Sequence, residues 1–280
     1  MNFPAKIAEL SGIRLAQSSS LKGLPKLQCY QYLHHKRRFA GIIGLKEITW
    51  NLSRCDFYGD IRAGAILPAD ELRVEEAIGA IKDGKVIAVP TDTLYGFTCD
   101  ACSTEAVHKI YEIKGRNQTS PLAICVGDVS DIKRFAVTDH LPHGLLNDLL
   151  PGPVTVVLRR GEHSTLERSL NPGLDSIGVR VPDSKFIRAV AHGSESALAL
   201  TSANLSGKRS SVSIKDFECL WEHCAYVYDG GLLPSGRSGS TIVDLIKLGK
   251  YKILRPGSAL KETVVILHKY SLQEELEDAP

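Results

Sequence analysis

Two short apolar runs, each breaking into a loop of small polar residues, constrain this chain most. Lys85-Val86-Ile87-Ala88-Val89 runs into Pro90-Thr91-Asp92-Thr93-Leu94-Tyr95-Gly96. Ala197–Leu200 runs into Thr201-Ser202-Ala203-Asn204-Leu205-Ser206-Gly207. Brief apolar runs without alternation read as strands covered on both faces. Open α/β sheets take ligands in the crevice outside the carboxyl ends of their strands. Two such ends predict one shared pocket, although Ser, Thr, Asn and Gly are also ordinary turn residues and either loop alone reads as a turn.

The pattern around these runs alternates. Asp70 can cap a helix whose face is Leu72, Val74, Ala77, Ile78 and Ile81, with Gly84 stopping it. Ser103 can cap a second helix that turns Ala106, Val107, Ile110 and Ile113 inward and ends at Gly115. Further helices are predicted over Leu145–Leu150, Phe186–Ala191 and Ile214–Trp221. Strands are predicted over Leu122–Val126, Val154–Leu158, Ile177–Val181, Tyr226–Tyr228, Thr241–Leu245 and Tyr251–Leu254. Alternation first and clustered strands later predict a mixed α/β domain with helices packed on a twisted sheet. Regular structure is expected from near Pro68, and Glu274-Glu275-Leu276-Glu277-Asp278 reads as a solvated acidic tail or frayed helix.

Composition narrows the class. No run reaches the roughly 18 apolar residues of a membrane span, so the chain reads as soluble with no membrane partner. The net charge of +2 conceals an asymmetry: residues 1–46 carry eight Lys/Arg against Glu9 alone (+7), leaving 26 basic and 31 acidic residues (−5) in the remainder. A mildly acidic body is not the footprint of a general nucleic-acid binder. Residues 1–60 are basic, contain Ser18-Ser19-Ser20 and are poor in acids, which reads as a mitochondrial or chloroplast transit peptide; the alternative is an attached disordered tail on a cytoplasmic protein. Seven scattered cysteines, an odd number in a long chain, read as thiols of a reducing compartment. Cys99-Asp100-Ala101-Cys102 has redox or zinc spacing but lacks a matching second half, so buried thiols are the favoured reading.

Several cations lie where strands and helices end. Lys114-Gly115-Arg116 follows a helix C-terminus, where it either complements the helix dipole or binds phosphates. Arg180, in an otherwise apolar strand, requires an anionic partner, which is an internal carboxylate or a ligand. Arg255 enters a turn after a short strand, and Gly239-Ser240-Thr241 offers hydroxyls and backbone N–H groups suited to a phosphate. No G-x-x-x-x-G-K-[ST], G-x-G-x-x-G, H-E-x-x-H or G-x-S-x-G is present, so any use of ATP is not that of a P-loop enzyme.

In order along the chain, Pro90-Thr91-Asp92-Thr93-Leu94-Tyr95-Gly96, Lys114-Gly115-Arg116, Pro121-Leu122, Pro151-Gly152-Pro153-Val154-Thr155, Gly178-Val179-Arg180-Val181-Pro182, Thr201-Ser202-Ala203-Asn204-Leu205-Ser206-Gly207, Gly239-Ser240-Thr241-Ile242-Val243-Asp244 and Arg255-Pro256-Gly257 resemble the YrdC-like family. The resemblance runs from about residue 70 to 265 and is to the short, single-domain branch: a catalytic domain at 61–270 between the leader and an acidic tail at 271–280. Cys125 stands where some members have His.

That resemblance implies an α/β domain, a YrdC-like twisted open mixed sheet with flanking helices and a large concave basic cavity. It implies the reaction L-threonine + bicarbonate + ATP → L-threonylcarbamoyl-AMP + pyrophosphate, serving threonylcarbamoylation of the tRNA adenosine beside the anticodon. Thr91, Thr93 and Arg180 would line the threonine site. Lys114 and Arg116 would hold the phosphates and act as the catalytic cations, with Thr155, Ser202, Asn204, Ser240 and Arg255 on the nucleotide. Mg²⁺ would arrive with ATP rather than at a protein metal site. Further implied partners are tRNA and a tRNA threonylcarbamoyl transferase downstream. Two other readings are a non-catalytic tRNA- or double-stranded-RNA-binding maturation factor, marked by steep salt dependence, and a sugar-phosphate lyase or synthase on the same scaffold.

Overall fold

The computed structural model describes residues 63–115, 121–234 and 236–275. The leader at 1–60, Arg116 and the end of the expected tail at 276–280 lie outside them.

The strands are β1 (Ala65–Pro68), β2 (Ile87–Pro90), β3 (Tyr95–Asp100), β4 (Ala123–Cys125), β5 (Val154–Arg159), β6 (Ser176–Arg180), β7 (Leu198–Ser202), β8 (Tyr226–Asp229), β9 (Thr241–Asp244), β10 (Lys250–Arg255) and β11 (Gln273–Glu274). They form one mixed sheet in the order β1-β8-β2-β3-β7-β4-β6-β5-β9-β10-β11. Its outermost pair at one end, β1 and β8, is parallel with Ala65 opposite Tyr226. The helices are α1 (Val74–Lys82), α2 (Thr104–Ile113), α3 (Leu145–Leu149), α4 (Lys185–Ser194) and α5 (Leu260–Lys269), with a kinked 3₁₀ segment at Ile214–His223.

Side chains alternate across a strand, and the sheet is covered on both faces. Ile87, Val89, Leu198, Leu200 and Tyr228 face one side, where Ile78 and Ile81 of α1 meet Ile187 and Val190 of α4. Ala88, Phe97, Ala199, Ile124 and Val227 face the other, packed with Val107 and Ile110 of α2, Leu145 of α3 and Phe217. Phe217 contacts Phe97 edge-on, with ring centroids 5.8 Å apart at 87°, a geometry contributing about 0.5–1.5 kcal/mol beyond burial. The predicted caps form: Ser103 Oγ accepts from Ala106 N–H at 3.3 Å, and Asp70 Oδ1 accepts from Leu72 N–H at 3.0 Å.

The structure departs from the sequence expectations in several places, among them β1, which precedes the expected start near Pro68, α5, which no expectation covered, and Ile214–His223, which is 3₁₀ rather than α-helical. Asp70 opens a 3₁₀ turn at Glu71–Arg73 rather than the α-helix itself, which leaves Leu72 88% exposed instead of on the buried face. Tyr95 and Gly96, expected in a loop, begin β3, which pairs antiparallel with β2 as a hairpin. Thr201 and Ser202 likewise belong to β7. Residues 271–275, expected in the tail, belong to the fold: Leu272 is buried, β11 pairs with β10, and Glu275 forms an ion pair with Lys247.

Candidate active site

The two loops singled out by sequence meet in one cleft of about 500 Å³. The β2–β3 hairpin supplies one side. Thr91 Oγ1 accepts from the N–H of Thr93 (3.1 Å) and of Leu94 (3.2 Å) and donates to the Leu94 carbonyl at 2.7 Å. This side chain closes the turn itself. Thr93 Oγ1 lies 3.1 Å from Thr91 Oγ1, and both residues are buried.

Arg180, the last residue of β6, reaches this turn. Its Nη2 donates to Asp92 Oδ1 at 2.6 Å and to Thr93 Oγ1 at 3.1 Å, with the side chains of Arg180 and Asp92 only 10% and 7% exposed. Asp92 Oδ2 accepts from the Asp183 N–H at 2.9 Å. The anionic partner demanded by Arg180 is therefore an internal carboxylate. Its Nε is buried with no hydrogen-bond partner, so the guanidinium retains a donor.

On the second side, Lys114 is the C-cap of α2 and is buried. Its Nζ donates to the Ser202 carbonyl (2.6 Å) and lies within reach of Ser202 Oγ (3.4 Å) and Asn204 Oδ1 (3.3 Å). Asn204 Nδ2 donates to the carbonyls of Leu205 (2.7 Å) and Lys208 (2.9 Å), fixing the amide's orientation. Across the cleft, Thr155 Oγ1 and Ser240 Oγ are 2.7 Å apart, and Arg255 Nη2 donates to the Ser240 carbonyl at 2.8 Å. Burial holds the Arg255 guanidinium below its usual pKa, and the charge of Arg180 adds to that.

Thr91, Thr93, Lys114, Thr155, Arg180, Ser202, Asn204, Ser240 and Arg255 thus share one cleft; Arg116 lies outside the described residues. Among the described residues three cations line it and no carboxylate does, so with Asp92 set against Arg180 a net positive charge remains. Two guanidiniums that repel each other above a floor of hydroxyls and amides form a site for an anion.

The sequence reading missed three contributors. Asp92 lay inside a quoted motif without an assigned role. Asn171, buried and with φ 59°, pairs with both backbone groups of Leu122: Oδ1 accepts from its N–H at 2.6 Å and Nδ2 donates to its carbonyl at 2.8 Å. Tyr95 donates to the Gly231 carbonyl at 2.7 Å and accepts from the Gly230 N–H at 2.9 Å; burial pushes its pKa up to about 12. Only Asn171 carries a local signal, the turn-forming Asn171-Pro172-Gly173, since the partners of all three are far along the chain. Of the cysteines, Cys99, Cys102, Cys125, Cys219 and Cys224 are free thiols, and no cluster of three or more metal-ligating side chains occurs among the described residues.

A mixed, doubly covered sheet whose strand ends enclose a cationic, hydroxyl-lined cleft defines a protein that binds a small anionic ligand. The chain matches the Sua5/YciO/YrdC family model, described as telomere recombination, over residues 79–257. It belongs to that family. Threonylcarbamoyl-AMP synthase of Bos taurus is 46% identical over 201 residues, spanning 70% of this chain and 72% of that protein. The protein of that name from Homo sapiens is 46% identical over 202 residues, spanning 70% and 71%. Among solved structures, P. abyssi Sua5 complexed with L-threonine superposes with a TM-score of 0.64 at 28% identity, covering 77% of this chain and 64% of that one. E. coli YciO superposes with a TM-score of 0.60 at 22% identity over 69% and 93%, a likeness of fold. Among the described residues no helix is long and apolar enough to cross a membrane.

Proposed function

We propose that this chain is an L-threonylcarbamoyladenylate synthase: L-threonine + bicarbonate + ATP → L-threonylcarbamoyl-AMP + pyrophosphate + water. The observation that carries the reading is the convergence of buried Lys114, its acceptors on Ser202 and Asn204, and the mutually repelling Arg180 and Arg255 around one cleft that no carboxylate lines among the described residues. Relatives bearing the synthase name at 46% identity support it.

The chemistry has two steps. The threonine amine attacks bicarbonate carbon, and loss of water gives a carbamate. A carbamate oxygen then attacks the α-phosphorus of ATP, forming the P–O bond as the bond to pyrophosphate breaks. Neither step requires a protein nucleophile; positioning and cations on developing charge accelerate such transfers. In this scheme Arg180, aimed by Asp92, meets the threonine carboxylate beside Thr91 and Thr93 with guanidinium N–H groups that its bonds to Asp92 and Thr93 leave over. Lys114 and Arg116 take the phosphates. Thr155, Ser202, Asn204, Ser240 and Arg255 line the nucleotide side. The cleft's hydroxyls, amides and cations are donors for an anion rather than a cage for a divalent cation. Mg²⁺ would therefore arrive with ATP as part of the substrate, where it would supply charge neutralisation.

The product's mixed anhydride requires a transferase that passes the threonylcarbamoyl group to a tRNA adenosine. The basic, acid-poor leader supports delivery to a mitochondrion or chloroplast, which microscopy of a leader–fluorescent-protein fusion tests. Pyrophosphate release from ATP by the full chain tests the reaction. Release that depends on both L-threonine and bicarbonate is expected, and a folded protein that releases none overturns the reading. RNA affinity that falls steeply with salt, without ATP affinity, would point to RNA binding instead.

A further inference from the structure

One ion pair outside the assigned site joins the two walls of the cleft. The first wall follows β7 and carries Asn204, Ser206 and Ser210; the second is Ser238–Ser240, leading into β9. Arg237 stands immediately before the second wall. Its Nη1 donates to the Ser210 carbonyl at 2.6 Å and to Asp216 Oδ2 at 3.1 Å, and its Nη2 to Asp216 Oδ1 at 3.0 Å. The paired guanidinium–carboxylate bonds fix orientation as well as distance. Asp216 is anchored in turn, its Oδ2 accepting from the N–H groups of Val212 (2.9 Å) and Ser213 (3.0 Å) at the start of the 3₁₀ segment.

The backbone gives a second observation. Arg237 is left-handed, with φ 69°, a conformation that residues with a Cβ avoid unless surrounding contacts impose it. The fork onto Asp216 and Ser210 supplies contacts of that kind. From Arg237 the constraint passes into the cleft. Two residues on, Gly239 lies so close to Arg255 that a Cβ there would sit 2.9 Å from Nη2. Arg255 in turn holds the Ser240 carbonyl.

We propose that Arg237 and Asp216 form a latch between the walls of the cleft, and that the latch positions Ser240 and Arg255 for the anionic portion of the nucleotide. The nucleotide as occupant rests on the function proposed above. Arg237 touches no reacting atom and is a positioning residue.

Arg237→Gly is the discriminating variant, because glycine adopts the left-handed turn without strain while losing the fork. In the full-length protein its KM for ATP rises about fivefold or more, while kcat and the KM for L-threonine stay within about twofold. Its melting temperature stays within about 3 °C of wild type. Asp216→Asn, which keeps an acceptor for the Val212 and Ser213 N–H groups, behaves alike, and the double variant is no worse than either single one. Arg237→Lys, which keeps the charge but not the fork, does not restore the ATP KM. An unchanged ATP KM in Arg237→Gly, equal rises for both substrates, additive effects, or a melting loss beyond about 5 °C would each overturn the latch. If wild-type protein shows no threonine- and bicarbonate-dependent pyrophosphate release, the functional reading fails. Equilibrium binding of ATP to the same variants then decides the latch separately.

Discussion

Replacing Asp92 by Asn tests how the cleft aims its buried guanidinium. The two carboxylate oxygens have separate duties: Oδ1 faces Arg180 Nη2 at 2.6 Å, and Oδ2 faces the Asp183 N–H at 2.9 Å. An amide has one acceptor, so in either orientation its NH₂ group points at a donor. A lost charge-assisted hydrogen bond costs about 1.5–3 kcal/mol, and stripping one partner from a buried ion pair costs about 3–5 kcal/mol. With the pair's side chains only 10% and 7% exposed, solvent recovers little of this. The cleft admits some water, so the lower end, about 3 kcal/mol, applies. For a domain of this size that lowers the melting temperature by about 6–12 °C. Scanning calorimetry reads the shift. Initial rates well below the transition read the second effect, an approximately tenfold rise in the KM for L-threonine with the ATP KM within about twofold. A variant that melts within about 2 °C of wild type and keeps its threonine KM refutes both the ion-pair energetics and the aiming role.

Three other substitutions or treatments have definite outcomes. Lys114→Met keeps the stem but leaves the Ser202 carbonyl and Asn204 Oδ1 without their cation; pyrophosphate release falls about 100-fold or more while circular dichroism remains native. Gly257→Ala places a Cβ 2.3 Å from the backbone at Ser240 and Thr241, so the turn shifts and stability falls by about 1–3 kcal/mol in denaturant titration. Brief alkylation of native protein at pH 8, followed by mass spectrometry, labels Cys102 and Cys219 before Cys99, Cys125 and Cys224. Burial pushes the Cys125 and Cys224 thiols up to about 12 and raises that of Cys99, and only a thiolate reacts readily. Early label at Cys125 would contradict its burial.

Signals confined to one segment were legible in the sequence. α2 announces itself through the Ser103 cap and the spacing of Ala106, Val107, Ile110 and Ile113. β3 does not, because Thr98, a polar residue, is fully buried with its hydroxyl donating to the Ala199 carbonyl on the neighbouring strand. α5 was missed because, among its residues, only Thr263 and Leu267 are buried, too few to make a stripe. For Arg180 the sequence posed the question of an anionic partner without answering it, since Asp92 lies 88 residues away. Thr155 and Ser240 meet across 85 residues, and Asn171 meets Leu122 across 49. Ordered motifs marked which segments assemble the cleft. The pairings inside it depend on sheet order, and no local pattern encodes that.

The pairing of β1 with β8 bears on how the domain comes into being. During synthesis Ala65–Pro68 leaves the ribosome well before its partner Tyr226–Asp229. The edge of the sheet therefore stays open until most of the chain has been made, and its closure carries the loop-closure entropy of the intervening residues. A nascent chain halted before Tyr226 would expose the unpaired backbone of β1 and β2, the template on which foreign strands add. Until β8 is made, this topology leaves that edge open to foreign strands.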